Sequence, residues 1–297
     1  MRIRLRRTRR FSEVSIAELP RPVGYVLGGG GSLGAVQVGM LRALGEHGAA
    51  PDLVTGTSVG SLNGAVIAQD PEGALDRLGD AWAKMTRDRV FPGGLLAQAR
   101  TLQHTRTNLF PATGLASVIA DFIGAEVTFA DLRLPFAAMA TDIATARPHV
   151  MSDGPVLPAL LASAAIPGIY PPVELGSLRL YDGGLVANVP MRQALAMGAK
   201  SLVVLDCNFP GRIPEAPGTI AEVLFYTVTV TMRTQAVFEA PQAAAGVPVV
   251  YLHGPEPHPI SPLDFRQTGT LIESAYRAAR SFLDDLRIKG PGLYGSP

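Results

Sequence analysis

The segment VGYVLGGGGSLGAVQVGMLRALGEHGAAPDLVTGTSVGSLNGAVIA, residues 23–68, contains one arrangement twice. An apolar run, Val23 to Leu27, meets the glycines Gly28 to Gly31, and a helix-like stretch follows from about Ala35 to His47. A second run, Asp52 to Thr55, meets Gly56-Thr57-Ser58-Val59-Gly60 and passes into a helical stretch ending near Ala68. Short apolar runs bounded by glycine read as strands, and the longer stretches behind them read as helices. Two strands joined by a helical crossover lie parallel, with a right-handed connection. Both glycine-rich loops therefore fall at one edge of a sheet, beyond the C-terminal ends of its strands.

Working outward, PFAAMATDI (135–143), LRLYDGG (178–184), SLVVLDC (201–207) and VPVVYL (247–252) read as further strands. Helices are expected at about 156–165, 189–197 and 269–287. The fold class is α/β, with a mainly parallel central sheet flanked by helices in three α/β/α layers. Residues 209–218 read as a loop, and 91–114 as a long insertion of weak periodicity that follows the second glycine-rich unit. Residues 223–238 mix β-branched runs with helical spacing and take no assignment. The expected organisation is a basic N-terminal tail over 1–20, one domain over 21–290 and a C-terminal tail over 291–297.

With 297 residues, 47% hydrophobic and 17% charged, the chain can bury a large core, which excludes intrinsic disorder. The net charge is +1, yet Arg2, Arg4, Arg6, Arg7, Arg9 and Arg10 crowd the start, so the body is acidic and a nucleic-acid partner is not expected. A single cysteine, Cys207, permits no internal disulfide, and no secretory signal is evident; both favour the cytoplasm. Two uncharged windows, 22–41 and 154–173, are too rich in glycine or proline to span lipid as continuous helices.

Gly56-Thr57-Ser58-Val59-Gly60 has the G-x-S-x-G form of a nucleophile elbow, whose small flanking residues allow a tight strand-to-helix turn that presents the serine. Gly29-x-Gly31-x-x-Gly34 has the spacing of a dinucleotide fingerprint, but the next strand ends in Gly56-Thr57 rather than in an acid for a ribose. No Lys-Ser or Lys-Thr follows the glycines, so the loop is not of the Walker type either. What remains is a set of backbone amides at a helix N-terminus, suited to an anion. Beside a serine nucleophile, that anion is the oxyanion of a tetrahedral intermediate. Two proton acceptors for Ser58 are open. Ser58, Asp182 and His253 follow the order of an α/β-hydrolase triad, although only one strand precedes the elbow. Alternatively Asp182, in Tyr181-Asp182-Gly183-Gly184, takes the proton directly.

Three blocks, GGGGSLGAVQVGML (28–41), TGTSVGSLNGA (55–65) and YDGGLVANVP (181–190), resemble in order and spacing the patatin-like phospholipase family of serine acyl hydrolases. ATDIATARPHV, LLASAAIPGIYPPV and AMGAKSLVVLD extend the likeness over roughly residues 22–208. The resemblance implies a Ser58–Asp182 dyad, an oxyanion loop of Gly29, Gly30 and Gly31 with Gly34 permitting close helix packing, elbow glycines Gly56 and Gly60, and a DGG motif completed by Gly183 and Gly184. It implies no cofactor and no metal. Its substrate is a lipid or other acyl ester. The Arg-rich start reads either as a disordered solubilising tail or as a peripheral contact with anionic membrane. Leu33 stands where many members carry Lys or Arg, which weakens a charged phospholipid head group more than ester hydrolysis. Asn188 and Asp142 match family positions and are expected to make structural hydrogen bonds. Residues 91–114, with Phe91, Leu95, Leu96, Leu102, Leu109 and Phe110, are expected to cover the site, or else to be an ordinary pair of packed helices. The competing readings are a Ser–His–Asp esterase through His253 and a non-catalytic anion- or nucleotide-binding module.

Overall fold

The computed structural model describes residues 13–208, 218, 220–255 and 263–297. The Arg-rich start, the 209–217 part of the expected loop and His258 lie outside the described residues.

The opening unit forms as its sequence predicts. β1 (Val23–Leu27) leads through the glycine loop to α1 (Ala35–Glu46), and β2 (Leu53–Thr57) leads to α2 (Val59–Gln69). β1 and β2 pair in parallel, Leu27 opposite Gly56, so the glycine loop and Ser58 emerge side by side. The chain continues through α3 (Ala74–Ala83), α4 (Arg87–Val90), α5 (Leu95–Thr105) and α6 (Thr113–Ile123) to β3 (Phe136–Asp142) and β4 (Arg147–Met151). Next come α7 (Val156–Ser163), β5 (Val173–Leu175), β6 (Leu178–Asp182), α8 (Gly184–Ala187), α9 (Met191–Ala196) and β7 (Ser201–Leu205). α10 (Ile220–Ala244), β8 (Pro248–Leu252), α11 (Thr268–Asp285) and β9 (Gly292–Gly295) complete it.

The strands form one sheet in the order β5-β6-β3-β2-β1-β7-β8-β9, with β4 also paired to β3. β3-β2-β1-β7-β8-β9 run parallel, whereas the β3–β6, β5–β6 and β3–β4 pairs are antiparallel. Side chains alternate between the two faces of a strand, and here they enter separate cores. Tyr25, Leu27, Val203, Leu205, Val250 and Leu252 pack with α1, α2, α3 and α11. Val26, Leu202, Val204, Val249 and Tyr251 pack with α9 and the C-terminal half of α10. Helices thus cover both faces, giving a mixed α/β fold around a mostly parallel sheet.

Three expectations change. Residues 291–297 are not a tail, because Gly292–Gly295 add β9 to the parallel edge of β8. The expected basic tail over 1–20 is packed from its thirteenth residue on: Ile16 and Leu19 are buried and Val14 bridges to Ile288. Residues 223–238 are wholly helical within α10, where Thr227, Thr231 and Thr234 satisfy their hydroxyls on carbonyls one turn back. That back-bonding removes the polar cost of threonine in a helix, and contacts with α8 and α9 select the helical state over the local β propensity.

Candidate active site

Ser58 lies between the last residue of β2 and the first of α2 with φ 53° and ψ −127°. A non-glycine residue with positive φ is uncommon and costs of order 1–3 kcal/mol. The turn is this tight because the following residues press against the neighbouring strand. A Cβ on Gly60 would stand 2.3 Å from the Leu27 carbonyl oxygen, and one on Gly56 would stand 2.4 Å from the Gly60 carbonyl oxygen. The serine amide donates to Ser163 Oγ at 2.9 Å, and its carbonyl accepts from Ser61 Oγ at 2.6 Å. The elbow is therefore held from α7 as well as from its own helix.

Asp182 closes β6 and is buried, 1% exposed. Its Oδ1 accepts the Gly184 amide at 2.8 Å, and the Ser58 hydroxyl hydrogen-bonds to the same carboxylate. Burial pushes its pKa up to about 6, and the Ser58 and Gly184 hydrogen bonds oppose that rise. The backbone around it is fixed on both sides: the Asp182 amide donates to Ala165 O at 2.9 Å, and Thr141 Oγ1 donates to Asp182 O at 2.8 Å. Thr57 Oγ1, next to Ser58, donates to Ala187 O at 2.6 Å. Gly183 packs where a Cβ would meet the Met139 carbonyl oxygen at 2.4 Å.

In the glycine loop, Gly28 donates to Leu205 O at 3.0 Å and Gly29 donates to Asn188 O at 3.2 Å. Gly31 takes φ 60°. Gly34 brings the start of α1 against α2, since a Cβ there would stand 2.4 Å from Val59 Cγ2 and 2.9 Å from Trp82 Cζ2. A buried polar chain supports the loop from beneath. Trp82 Nε1 donates to Asn63 Oδ1, Asn63 Nδ2 to Gln37 Oε1 and Gly34 O, and Gln37 Nε2 to Gly28 O and Leu205 O, all between 2.7 and 3.1 Å. Sequence reading missed this chain, as it missed Ser163 and Gln235, because nothing in their local spacing shows that they converge.

His253 follows β8, and the sheet places β1 and β7 between β8 and β2, the strand that leads to Ser58. Burial raises the pKa of the Asp206 carboxyl, hydrogen bonds from Tyr251 (to Oδ2 at 2.7 Å) and Asn208 oppose the rise, and His253 lies near enough to add a smaller opposing influence. The structure thus brings Ser58 to Asp182 and His253 to Asp206. Asp142 makes the expected structural bonds, accepting from Ala144 N at 3.0 Å and Thr145 Oγ1 at 2.6 Å. Asn188 departs from expectation. Its backbone is paired with Gly29 and the Gln235 side chain, but among the described residues neither polar atom of its buried side chain has a partner.

The 91–114 insertion contains one regular helix, α5, rather than a packed pair. Phe91 and Phe110 are buried with ring centroids 5.3 Å apart, and Phe91 also stacks on Tyr170, so both ends are pinned to the body. Leu96 and Leu102 between them are exposed. Among the described residues no group of three or more His, Cys, Asp or Glu side chains is placed to hold a metal ion, and no helix is long and apolar enough to cross a membrane.

A parallel α/β sheet carrying a serine on a strained strand-to-helix elbow, with a buried carboxylate beside it and a glycine loop alongside, defines a protein of the serine-elbow α/β class. Residues 25–195 match the family model for patatin-like phospholipase. The chain belongs to the patatin-like phospholipase family. It is 34% identical over 202 residues to the mouse patatin-like phospholipase domain-containing protein 7, a match that covers 66% of this chain and 14% of that protein. It is 27% identical over 299 residues to the lysophospholipase nte1 of Aspergillus terreus, covering 91% of this chain and 18% of that one. The chain therefore spans a small part of the relatives it matches. Among solved structures, VipD from Legionella pneumophila shares the fold with a TM-score of 0.50 at 13% identity, over 97% of this chain and 72% of that one.

Proposed function

We propose that this protein is a lipid acyl hydrolase that cleaves carboxylic esters through a Ser58 acyl-enzyme, with Asp182 as general base. The observation that carries this reading is the meeting of Ser58, on its strained elbow, with a buried carboxylate whose pKa is about 6. A base with a pKa just below neutral is ionised at physiological pH yet holds a proton well enough to return it. Ser58 Oγ bonds to the ester carbonyl carbon while its proton moves to Asp182, and the carbonyl π pair goes to oxygen. Asp182 then protonates the departing alkoxide as the ester C–O bond breaks. Water, deprotonated by the same carboxylate, then bonds to the acyl carbon, and as the acyl–Oγ bond breaks Asp182 returns the proton to Ser58 Oγ and the acid is released.

The amides available to the oxyanion are those of Gly30 and Gly31, since the Gly28 and Gly29 amides already donate to protein carbonyls. The names of the family and of the fungal relative support a lipid ester as substrate. The apolar Leu96 and Leu102 beside the insertion's pinned ends fit a surface that meets aggregated lipid. The test is a panel of phospholipids, lysophospholipids and short-chain esters assayed with wild type and Ser58→Ala, together with fluorophosphonate labelling. Hydrolysis and labelling in wild type but not in Ser58→Ala are expected. A wild type inert to both would leave the anion-binding module as the better reading.

A further inference from the structure

Among the described residues at the site, Asn188 is the one whose buried side chain has no hydrogen-bond partner. It is 1% exposed, and both Oδ1 and Nδ2 are buried without a partner among the described residues. Buried carboxamides are almost always paired, because leaving one unpaired costs stability. Its surroundings are the reacting groups. Asn188 Oδ1 lies 2.7 Å from the point where a Gly29 Cβ would stand, and Ser58 Cβ lies 3.2 Å from that point. Asn188 Oδ1 and Asp182 Oδ1 each lie 3.1 Å from the corresponding point at Gly184. The carboxamide thus occupies the seam between the glycine loop, the nucleophile and the carboxylate. Its backbone is locked there: the carbonyl accepts from Gly29, and the amide donates at 2.9 Å to Gln235, whose Nε2 in turn donates to Gly184 O and Leu185 O.

We propose that Asn188 is a positioning residue for the dyad, its carboxamide becoming hydrogen-bonded to Asp182 only when that carboxylate takes the proton of Ser58. This role rests on the acyl-hydrolase reading above. In the resting state Asp182 is served by Ser58 and Gly184. Once protonated it carries a hydroxyl whose direction decides whether the proton reaches the leaving oxygen, and a neutral carboxamide in the seam restrains that direction without gaining or losing a proton. Among the described residues, Asp142 on β3, Arg147 on β4, Glu174 and Arg179 on β5 and β6, Arg192 on α9, and Arg233 and Glu239 on α10 carry charge on neighbouring elements, and none contributes to the shift of Asp182. α7 and α8 carry no charged side chain.

The experiment compares wild type, Asn188→Leu and the smaller polar Asn188→Ser in three measurements: thermal stability, kcat and KM on a soluble p-nitrophenyl ester across pH, and the rate of fluorophosphonate labelling. Removing an unpaired buried amide should leave the Asn188→Leu midpoint unchanged or raised, while kcat falls at least about tenfold with KM nearly constant and the acid limb of kcat/KM moves. Asn188→Ser keeps the measurement open if the leucine variant fails to fold, with the same split between kcat and KM expected. Wild-type kcat and acid limb in a folded variant would overturn the role. So would a loss of activity that tracks a lowered melting point with an unmoved acid limb, which marks a structural residue. A wild type that the phosphonate does not label would remove the hydrolase reading and this role with it.

Discussion

The Gly29 amide donates to the Asn188 carbonyl at 3.2 Å, tying the glycine loop after β1 to the segment that follows Asp182. One amide of the loop is thereby committed to structure, and under the proposed mechanism stabilisation of an oxyanion falls to Gly30 and Gly31. In a crystal structure of the fluorophosphonate adduct, the phosphoryl oxygen should lie about 3 Å from the Gly30 and Gly31 nitrogens. An oxygen seated on the Gly29 nitrogen instead would require the Gly29–Asn188 bond to open.

Strain at Ser58 gives a stability test. Glycine accepts φ 53° and ψ −127° without the steric cost that serine bears. Ser58→Gly should therefore be inactive and more stable than wild type by about 1 kcal/mol or more, whereas Ser58→Ala should be inactive without that gain. Calorimetry of the three proteins decides it, and a glycine variant that melts below the alanine variant would contradict the strained elbow.

Asp182 couples activity and stability to pH with opposite signs. Activity needs the carboxylate, so kcat/KM should fall as pH drops through about 6. Stability runs the other way. Because the folded-state pKa is raised above 3.8, the contribution of protonated Asp182 is complete below about pH 4 and is lost as pH rises through about 6. Asp182→Asn should thus be inactive at every pH, yet more stable than wild type above pH 6 by up to about 3 kcal/mol, the advantage vanishing near pH 4. Equal melting curves at pH 8 would show that burial does not strain this carboxylate.

His253→Ala should retain most ester hydrolysis, because the histidine follows β8, which β1 and β7 separate from the strand that leads to Ser58. Steady-state kinetics on a short-chain ester are sufficient. A folded but dead His253→Ala would restore the Ser–His–Asp esterase.

Leu96 and Leu102 are exposed on α5 between two pinned aromatic residues. Replacing both with Ser should leave the melting point within a few degrees of wild type, since exposed substitutions seldom exceed ~0.5 kcal/mol. Turnover on phospholipid vesicles should fall several-fold more than turnover on a soluble ester. Equal losses on both would remove the case for a lipid-facing cover.

What the sequence determined by itself was everything that depends on neighbours along the chain. Short apolar runs ending in glycine set β1 and β2, and the crossover between them brought Gly28–Gly31 and Ser58 to one edge, because parallel strands joined by a helix have a single favoured hand. G-T-S-V-G likewise foretold a tight turn, since close backbone approach needs small residues. Tertiary structure alone decided the rest. Asp182 meets Ser58 only because β6 pairs antiparallel with β3, which lies beside β2, a register set by packing across the sheet. The pairing of β8 with β7 left His253 beyond β1 and β7, and packing on α8 and α9 made α10 helical against its local propensity. The support beneath the glycines runs from Trp82 through Asn63 and Gln37, and the buried Asn188, whose carboxamide has no partner among the described residues, lies beside Gly29 and Gly184. Hydrogen bonds between residues far apart in sequence leave no periodic trace in the chain, because each depends on a distance that exists only after the layers have closed.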